Sequence, residues 1–294
     1  MRYIVTGSLG HISKPLVQKL VAAGHSVTVI SSKADKKAEI ESLGAVAAIG
    51  SIEDVPFLIR TFTGADAVYT MTPPNYAAPD YKAYIVSMGK KYVEAIKKSG
   101  VKYVVNLSSI GAHMPEGCGP VSGLHFVEKE FESLTDVHVL HLRPASFYYN
   151  FLNSAGMLKH TGMIGNNFGD TLVIVDPNDI ADVAAEALMK RTFTGKTHLY
   201  IVSDERTADE VAAILGAAVG KKDLAWTLFT DEQTLNGLKQ AGVPANLAEN
   251  LTEMGSALRR GDMTSDYFKS KNVAKGKRKL EQFAPVFAEA YRNA

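Results

Sequence analysis

Short apolar runs alternate with longer amphipathic stretches along most of the chain. The runs are apolar at consecutive positions and rich in β-branched and aromatic residues, as is typical of strands buried on both faces of a parallel sheet. They cover about residues 2–6, 26–31, 45–49, 66–72, 102–107, 138–142 and 198–202. Apolar residues recur at helical spacing near residues 11–23, 34–43, 53–63, 80–99, 122–134 and 178–190. This alternation predicts an α/β fold with a doubly wound parallel sheet and right-handed crossovers.

A glycine turn, in the sequence "VTGSLGHIS", joins the first predicted strand to the first predicted helix. Gly7, Gly10 and Ser13 follow the spacing of a dinucleotide-binding fingerprint, with Ser13 in the place of its third glycine. In that fingerprint the first glycine makes a tight turn, and the second lets the backbone approach a pyrophosphate at the helix N-terminus. A turn that needs glycine only for its backbone conformation is the alternative. The position between a strand and a helix favours a dinucleotide site and a Rossmann-type sheet.

The end of the second strand indicates which dinucleotide is bound. Sites that prefer NAD usually carry Asp or Glu there, which accepts a hydrogen bond from the ribose 2′-hydroxyl. This strand ends in Ser31, Ser32 and Lys33, with two more lysines close behind. Hydroxyl groups and a lysine suit a 2′-phosphate, so we predict NADP(H) as the preferred cofactor and NAD(H) as possible. Asp35 could reach the ribose in a looser loop, and the lysines could simply lie on a solvated helix face.

The pattern changes after residue 203, where helical stretches dominate. "TADEVAAILGAAVG" predicts a helix with Thr207 as its N-cap, "LAWTLFT" predicts a short strand, and residues 231–242, 244–261 and 284–293 predict further helices. We therefore expect two units. Residues 1–143 plus about 171–203 form the dinucleotide-binding domain, and about 144–170 and 204–294 form a smaller, mostly helical substrate-side cap over the carboxyl edge of the sheet.

Composition excludes several classes of partner. The chain has 294 residues, 46% apolar and 21% charged, with a formal net charge of +1, which gives no reason to expect nucleic acid or a membrane surface as a partner. Cys118 is the single cysteine, which fits a reducing compartment. The first strand begins at about residue 2 and leaves no room for a signal peptide. We expect a cytoplasmic monomer or homodimer that acts on a small molecule.

Three other features have structural interpretations. His138 and His141 lie an odd number of positions apart on one strand, so they point to opposite faces and cannot share a metal; no metal site is expected. Asp176 and Asp179 flank Pro177 with the spacing of an N-cap and its return partner. The basic run at residues 269–279 is interpreted as solvated surface rather than as a nucleic-acid site.

Several segments in order resemble the NmrA-like branch of the atypical short-chain dehydrogenases. They are "VTGSLGHISKPLV", "GADAVYTMTPP", "VKYVVNLSSIGAH", "LHFVEKEFE", "HLRPASFYYNF" and "DPNDIADVAAEAL", and they extend through about residue 205. "AGVPANLAENLTEM" and "TSDYF" look like that branch's substrate-side helices. The resemblance implies a Rossmann-type fold. It also implies either an NADPH-dependent quinone or dye reductase, or a regulator that binds the dinucleotide without turnover.

The resemblance also implies contacts to the cofactor by position. The pyrophosphate would meet Gly7, Leu9, Gly10, Ile12 and Ser13, and the 2′-phosphate would meet Ser31, Ser32 and Lys33. The adenine would lie beside Ser51 and Ile52, the nicotinamide ribose beside Met71, Thr72 and Pro73, and the nicotinamide beside the backbone from Pro144 to Phe147.

The catalytic residues of a typical short-chain dehydrogenase are only partly present. Ser108 follows the fifth strand, as the usual serine does, but His125 occupies the tyrosine position of the Tyr-x-x-x-Lys motif, with Lys129 at the lysine position. The NmrA-like reductases resemble this chain in having His there. His125 could donate a proton or a hydrogen bond to an acceptor, or it could be a histidine satisfied by its neighbours. In the first case Ser108 would orient or protonate the acceptor and Lys129 would lie near the ribose.

Four aromatic residues crowd the segment after the sixth strand: Phe147, Tyr148, Tyr149 and Phe151. Their rings could stack on a flat acceptor, with Tyr148 and Phe151 as the predicted substrate pocket. They could equally form the hydrophobic seam between the sheet and the cap.

The sequence therefore predicts an NADPH-dependent oxidoreductase that transfers hydride to a quinone-like or small aromatic acceptor. Such acceptors are electron-poor and need little help from a proton donor. The alternative is a non-catalytic redox sensor that binds NADP(H) and acts through a protein partner. Reduction of a carbon–carbon bond, or an epimerisation, rests on fold analogy alone.

Overall fold

The secondary structure alternates strands and helices over the whole of the computed structural model, which describes all 294 residues. The strands are β1 (Arg2–Val5), β2 (Ser26–Ser31), β3 (Val46–Ile49), β4 (Ala67–Thr70), β5 (Tyr103–Leu107), β6 (His138–Pro144), β7 (Ser146–Phe147), β8 (Ile164–Asn166), β9 (Thr171–Val175), β10 (Lys196–Val202), β11 (Asp204–Thr207), β12 (Trp226–Leu228) and β13 (Val273–Lys275). The helices are α1 (Ser13–Ala22), α2 (Lys37–Ser42), α3 (Val55–Phe62), α4 (Tyr81–Ser99), α5 (Val121–Glu132), α6 (Ala155–Thr161), α7 (Pro177–Lys190), α8 (Ala208–Ala218), α9 (Asp231–Gln240), α10 (Ala245–Arg259), α11 (Ser265–Lys269) and α12 (Leu280–Asn293). Ala34–Lys36 and Tyr148–Ser154 form short 3-10 helices.

An eight-stranded sheet forms the centre of the molecule, in the order β3-β2-β1-β4-β5-β6-β10-β13. Every pair in it is parallel. The predicted doubly wound α/β fold is therefore confirmed, and all seven predicted strands belong to this sheet. The chain reverses its direction of winding between β1 and β4, and in such sheets ligands bind in the crevice at the carboxyl ends of the two strands.

Helices cover both faces of this sheet, which explains why its strands are apolar at consecutive positions. In β1, Tyr3 and Val5 pack on one side with α1, α2 and α7, whereas Ile4 packs on the other side with α3, α4 and α5. Successive strand residues point to opposite faces, so both positions need apolar side chains. None of the helices combines the length and the apolar character needed to cross a membrane.

The basic run at residues 269–279 is not simply solvated surface, because it contains the eighth strand of the sheet, β13. Tyr200 to Val202 of β10 pair in parallel with β13. Just beyond β13, the Arg278 guanidinium and backbone N–H both donate to Asp179, at 2.5 and 3.1 Å. Asp179 is buried and also accepts from the Ser203 hydroxyl, so it ties α7 to the C-terminal segment and is not a return partner in the helix cap. Asp176 is the N-cap, as predicted, and accepts from Asn178 N.

A separate hydrophobic cluster lies in the C-terminal layer, between α8, α12 and the 3-10 helix that begins at Tyr148. Two small sheets border this layer, β11-β9-β7 and β12-β8. Thr207 caps α8 and forms a capping box with Glu210, so the predicted N-cap is confirmed. The division into two units at the predicted boundaries stays a prediction, and β13 connects the C-terminal segment to the central sheet.

A buried row of polar side chains crosses three neighbouring strands of the sheet. The Thr70 hydroxyl donates to Asn106 Oδ1 at 2.9 Å, and the Asn106 amide lies 3.1 Å from His141 Nδ1. Because the Asn106 oxygen already accepts from Thr70, its amide donates to His141, whose Nδ1 therefore carries no proton. Burial, with the nearby Arg143 charge, lowers the pKa of His141 to about 4.

We expect this histidine to make the protein less stable in mild acid. Its pKa is about 4 in the folded state and 6.5 in the reference state, so the unfolded chain binds the proton first as pH falls. Its contribution to the free energy of unfolding is complete above about pH 6.5 and falls by on the order of 3 kcal/mol as pH drops to about 4. Chemical denaturation of the wild type and of His141→Gln at several pH values would measure this.

His160 is exposed, so His160→Gln is the matched control. Its free energy of unfolding should change with pH as it does in the wild type. An identical pH dependence in wild type and His141→Gln would contradict the prediction.

Candidate functional site

The turn between β1 and α1 lies at the reversal of the sheet and adopts a conformation that favours glycine. Gly7 has φ of +87°, and a Cβ there would lie 2.8 Å from Ser13 Oγ and 2.9 Å from Met71 Cγ. Ser13 is buried and donates to the carbonyl oxygen of Thr6 at 3.0 Å, so its hydroxyl is satisfied inside the turn. A serine therefore fits at the third position of the fingerprint because its hydroxyl bonds the end of β1.

Five main-chain N–H groups of this turn, those of Gly7, Leu9, His11, Ile12 and Ser13, donate to no acceptor in the chain. The neighbouring Gly10 N–H bonds Gly7 O at 3.2 Å. The side chains of Leu9 and Ile12 pack toward the core, so these residues can offer only their backbone to a ligand. Unpaired N–H groups at the start of a helix, together with its dipole, form a site for a phosphate group. The turn fits the pyrophosphate of a dinucleotide.

The end of β2 lies beside this turn and presents one unpaired cation. Ser31 is buried, and its hydroxyl is used internally, because it accepts from Ser8 Oγ at 2.9 Å and from Lys33 N at 3.2 Å. Ser32 and Lys33 are exposed, and Lys33 forms no ion pair, whereas Lys36 is paired with Glu39. Of the three predicted 2′-phosphate residues, Ser32 and Lys33 are therefore available to a ligand and Ser31 supports the turn.

Two hydrogen bonds to the Met71 backbone stabilise the crevice at the carboxyl ends of β1 and β4. Met71 N donates to Thr6 Oγ1 at 3.0 Å, and the Tyr92 hydroxyl donates to Met71 O at 2.8 Å. Met71, Thr72 and Pro73 are partly exposed at the end of β4, beside Gly7. This brings the predicted ribose-binding segment and the predicted pyrophosphate-binding turn to one crevice.

The other predicted cofactor contacts also lie at carboxyl ends of strands. Ser51 is exposed after β3 and caps a turn by accepting from Glu53 N at 3.1 Å, and Ile52 is partly buried beside it. Pro144 is buried at the end of β6, and Phe147 is partly exposed in β7. These placements agree with the predicted path of a dinucleotide, and the individual contacts stay predictions.

The structure does not assemble Ser108, His125 and Lys129 into one catalytic group. Ser108 is buried, and its hydroxyl donates to Glu128 Oε1 at 2.5 Å, so its only proton is not available to an acceptor. Lys129 is exposed and pairs with Glu132 at 3.1 Å, with no contact to Ser108 or His125. The roles predicted for Ser108 and Lys129 are not supported by this arrangement.

His125 is the member of that set with an available polar atom. Its Nδ1 lies 2.9 Å from the carbonyl oxygen of Ala112, and a carbonyl only accepts, so Nδ1 carries a proton. Nε2 has no partner, and the side chain is partly exposed at the start of α5. The neutral ring can therefore accept a hydrogen bond at Nε2, and it can donate one there only when it is doubly protonated.

A buried ion pair between Arg143 and Glu128, which was not predicted from the sequence, lies next to Ser108. Arg143 donates to both carboxylate oxygens of Glu128, at 3.0 and 2.6 Å, and the two side chains are 9% and 12% exposed. Burial opposes ionisation of Glu128, but the hydrogen bonds from Arg143 and its charge hold the pKa of this carboxyl below its usual range. The available signal was a charged residue, Arg143, at the end of an otherwise apolar strand.

The aromatic residues after β6 separate into two groups. Tyr148 and Phe151 belong to the core of the C-terminal layer, and the Tyr148 hydroxyl donates to Arg278 O. This burial agrees with the interpretation of the two rings as a hydrophobic seam, and their place in a substrate pocket stays a prediction. Tyr149 lies on the other side and stacks on His11 of the glycine turn, with centroids 4.6 Å apart. Burial, with a smaller effect of Tyr76, raises the pKa of Tyr149 to about 12.

The NmrA-like family model matches residues 2–285 of the chain. The chain is similar to the NAD(P)H azoreductase of Xenophilus azovorans, with 27% identity over 254 residues that cover 85% of each protein. It is also similar in structure to the triphenylmethane reductase of Citrobacter sp., with a TM-score of 0.80, 22% identity, and coverage of 98% of this chain and 100% of that one. An NADPH-dependent quinone oxidoreductase of Escherichia coli, solved with NADPH, has a TM-score of 0.82 at 19% identity and covers 96% and 98%.

We expect Gly10→Ala to weaken dinucleotide binding without unfolding the protein. Gly10 has an ordinary backbone conformation, and the nearest atom to an added Cβ is Gly7 O at 3.4 Å, so the turn tolerates alanine. The methyl group would project where a pyrophosphate approaches the backbone. The affinity for NADPH, measured by calorimetry, should fall about 10-fold or more, a cost of about 1.4 kcal/mol or more.

Gly156→Ala is the control, because a Cβ at this helical position meets nothing within 4 Å. It should leave the affinity unchanged. Equal NADPH affinities for Gly10→Ala and wild type would show that the pyrophosphate does not approach this turn.

Proposed function

The chain belongs to the NmrA-like family, and from this premise we propose that it is an NADPH-dependent oxidoreductase that transfers hydride to a quinone-like or small aromatic acceptor. The observation that carries the proposal is the set of unpaired N–H groups of Gly7, Leu9, His11, Ile12 and Ser13 at the reversal of the sheet. The names of its relatives support the reaction class, since the azoreductase uses NAD(P)H and the quinone oxidoreductase uses NADPH.

The proposed preference for NADP(H) is supported by the charge at the end of β2. Lys33 is exposed and unpaired there, and no ion pair would need to break for its ammonium to meet a 2′-phosphate. Asp35, the acid that could bind a ribose hydroxyl instead, is also exposed, so NAD(H) stays possible. When bound, NADPH supplies a hydride; the protein supplies the binding site and the environment of the acceptor.

His125 is the proposed partner of the acceptor. Its Nδ1–H is held by Ala112 O, which sets the orientation of the ring and leaves Nε2 available. A doubly protonated His125 would donate from Nε2 to a quinone oxygen as negative charge develops on it. Ser108 does not act as a second donor in this proposal, because its hydroxyl already donates its hydrogen bond to Glu128.

Exposed and partly exposed aromatic rings near the crevice suit a flat acceptor. Tyr149 and His11 stack with their planes 25° apart, and Phe147 lies 5.1 Å from Tyr149. Tyr76, at the surface of the loop after β4, is 58% exposed and packs near Tyr81 at 5.8 Å. Aromatic surfaces favour stacked or edge-on contact with other aromatic molecules.

Oxidation of NADPH in the presence of quinones, azo dyes and cationic triphenylmethane dyes would test the proposal. We expect turnover with at least one class. His125→Asn should lower kcat with quinones by up to about 100-fold, the low end of general acid catalysis, because these electron-poor acceptors depend on the donor only in part. The same variant should affect a cationic dye much less, because a carbocation that accepts hydride becomes neutral without taking a proton.

Tight NADPH binding with no turnover for any acceptor would count against the reductase and favour the sensor alternative. That alternative further requires unequal affinities for NADPH and NADP⁺ and a protein partner that distinguishes the two states.

Lys33→Glu should change the choice of cofactor. Losing a charge-assisted contact to the 2′-phosphate costs about 1.5–3 kcal/mol, so the affinity for NADPH should fall about 10- to 100-fold while that for NADH stays near the wild-type value. Lys37→Glu makes the same charge change four residues later, on an exposed part of α2. It should leave the ratio of the two affinities unchanged, and an equal effect of both variants would remove Lys33 from the site.

A further inference from the structure

Helix α11 and the turn before it contact both segments that carry the candidate catalytic groups. We propose that Asp266 on α11 is a positioning residue: through Tyr200, Arg143 and Glu128 it holds the end of β5 and helix α5, and thereby the orientation of His125. This inference rests on the reductase function proposed above, because it assigns to α11 the control of that same site.

The first contact is a chain of hydrogen bonds that starts at Asp266. The Tyr200 hydroxyl donates to Asp266 Oδ2 at 2.5 Å, and Arg143 Nη1 donates to the Tyr200 oxygen at 3.1 Å. The same guanidinium nitrogen lies 3.4 Å from Asp266 Oδ2. Tyr200 is fully buried in the core, so this phenol has no route to water and depends on these partners.

The chain continues through the buried ion pair to the candidate site. The guanidinium of Arg143 donates to both oxygens of Glu128, which also accepts from Ser108 Oγ. One carboxylate therefore binds the end of β5 and the end of β6 to helix α5. The two side chains of such a buried pair stay together, because separating them would leave uncompensated charges in the interior.

The second contact is made by Met263 in the turn before α11 and by Ser265 at its start, and it leads to His125 through the loop that contains Ala112. Met263 packs on Gly111 so closely that a Cβ there would lie 2.7 Å from Met263 Cε. Ser265 Oγ lies 3.4 Å from His113 Nε2. These contacts hold the loop that contains Ala112, whose carbonyl oxygen orients the His125 ring.

Asp266 can be altered without releasing α11 from the protein. Tyr267, the next residue, is buried in the main core, and its hydroxyl bonds Glu205 at 2.7 Å and Lys275 at 2.6 Å. The Asp266 side chain is 40% exposed, so an amide there does not leave a buried charge. Asp266→Asn should therefore loosen the hydrogen-bond chain while the helix stays in place.

Amide hydrogen exchange of Asp266→Asn tests the inference with or without turnover. We expect exchange across residues 108–126 to become about 10-fold faster than in wild type, both in the free protein and with NADPH bound. Asp66→Asn is the matched control: Asp66 is 42% exposed and bonds the Arg2 backbone N–H and the Arg191 guanidinium, but it lies just before β4, at the amino ends of the strands. It should leave residues 108–126 unchanged.

Kinetics of the same variants separate positioning from general destabilisation. Asp266→Asn should lower kcat with a quinone about 10-fold while the Kd for NADPH stays at the wild-type value. In a His125→Asn background it should have little further effect, since the group through which it acts is gone. Tyr200→Phe, which breaks the same chain at its next link, should reproduce the result.

Each outcome decides the inference. Unchanged exchange at residues 108–126 in Asp266→Asn would overturn it, and so would an equal loss of kcat in the wild-type and His125→Asn backgrounds. A wild-type protein that binds NADPH but reduces no acceptor would overturn the proposed function, and the exchange result would then decide whether α11 holds this segment.

Discussion

The close approach of the Ser13 and Met71 side chains to the backbone at Gly7 is the constraint on which the candidate site depends. Where the sheet reverses, β1 must turn into α1 with no side chain between Ser13 and Met71, and a positive φ is the conformation that allows it. The cost of this turn is a set of N–H groups that no carbonyl of the chain can reach. A phosphate group can satisfy such donors, which fits the predicted pyrophosphate site.

Two rows of polar groups at the carboxyl edge of the sheet are satisfied within the protein. One row of hydrogen bonds crosses three strands and joins Thr70, Asn106 and His141. A second row, nearer the carboxyl ends of the strands, joins Ser108 and Arg143 to Glu128. These rows make the edge rigid, and they also remove Ser108 from the set of groups that could transfer a proton. Among the three predicted catalytic residues, His125 keeps one ring nitrogen, Nε2, without a partner in the chain.

The C-terminal layer contacts the candidate site and the central sheet at several points. Its own core is separate and contains Tyr148 and Phe151, while the adjacent Tyr149 faces the glycine turn. Its helix α11 reaches back to the ends of β6 and β10 through Asp266. The same layer is also tied to α7 by the hydrogen bond between Arg278 and Asp179.

The sequence alone determined the parallel sheet, its winding and the glycine turn, because these follow from local patterns: consecutive apolar positions, helical spacing and glycines between a strand and a helix. It also identified the N-caps Asp176 and Thr207, whose partners lie within three residues. The tertiary structure decided which partner each polar side chain found. Ser108 and Glu128 lie twenty residues apart, Arg143 and Asp266 far more, and only the folded chain brings them together. It likewise decided which of the neighbouring rings Tyr148 and Tyr149 is buried, since both are aromatic and only the packing of another layer distinguishes the two faces.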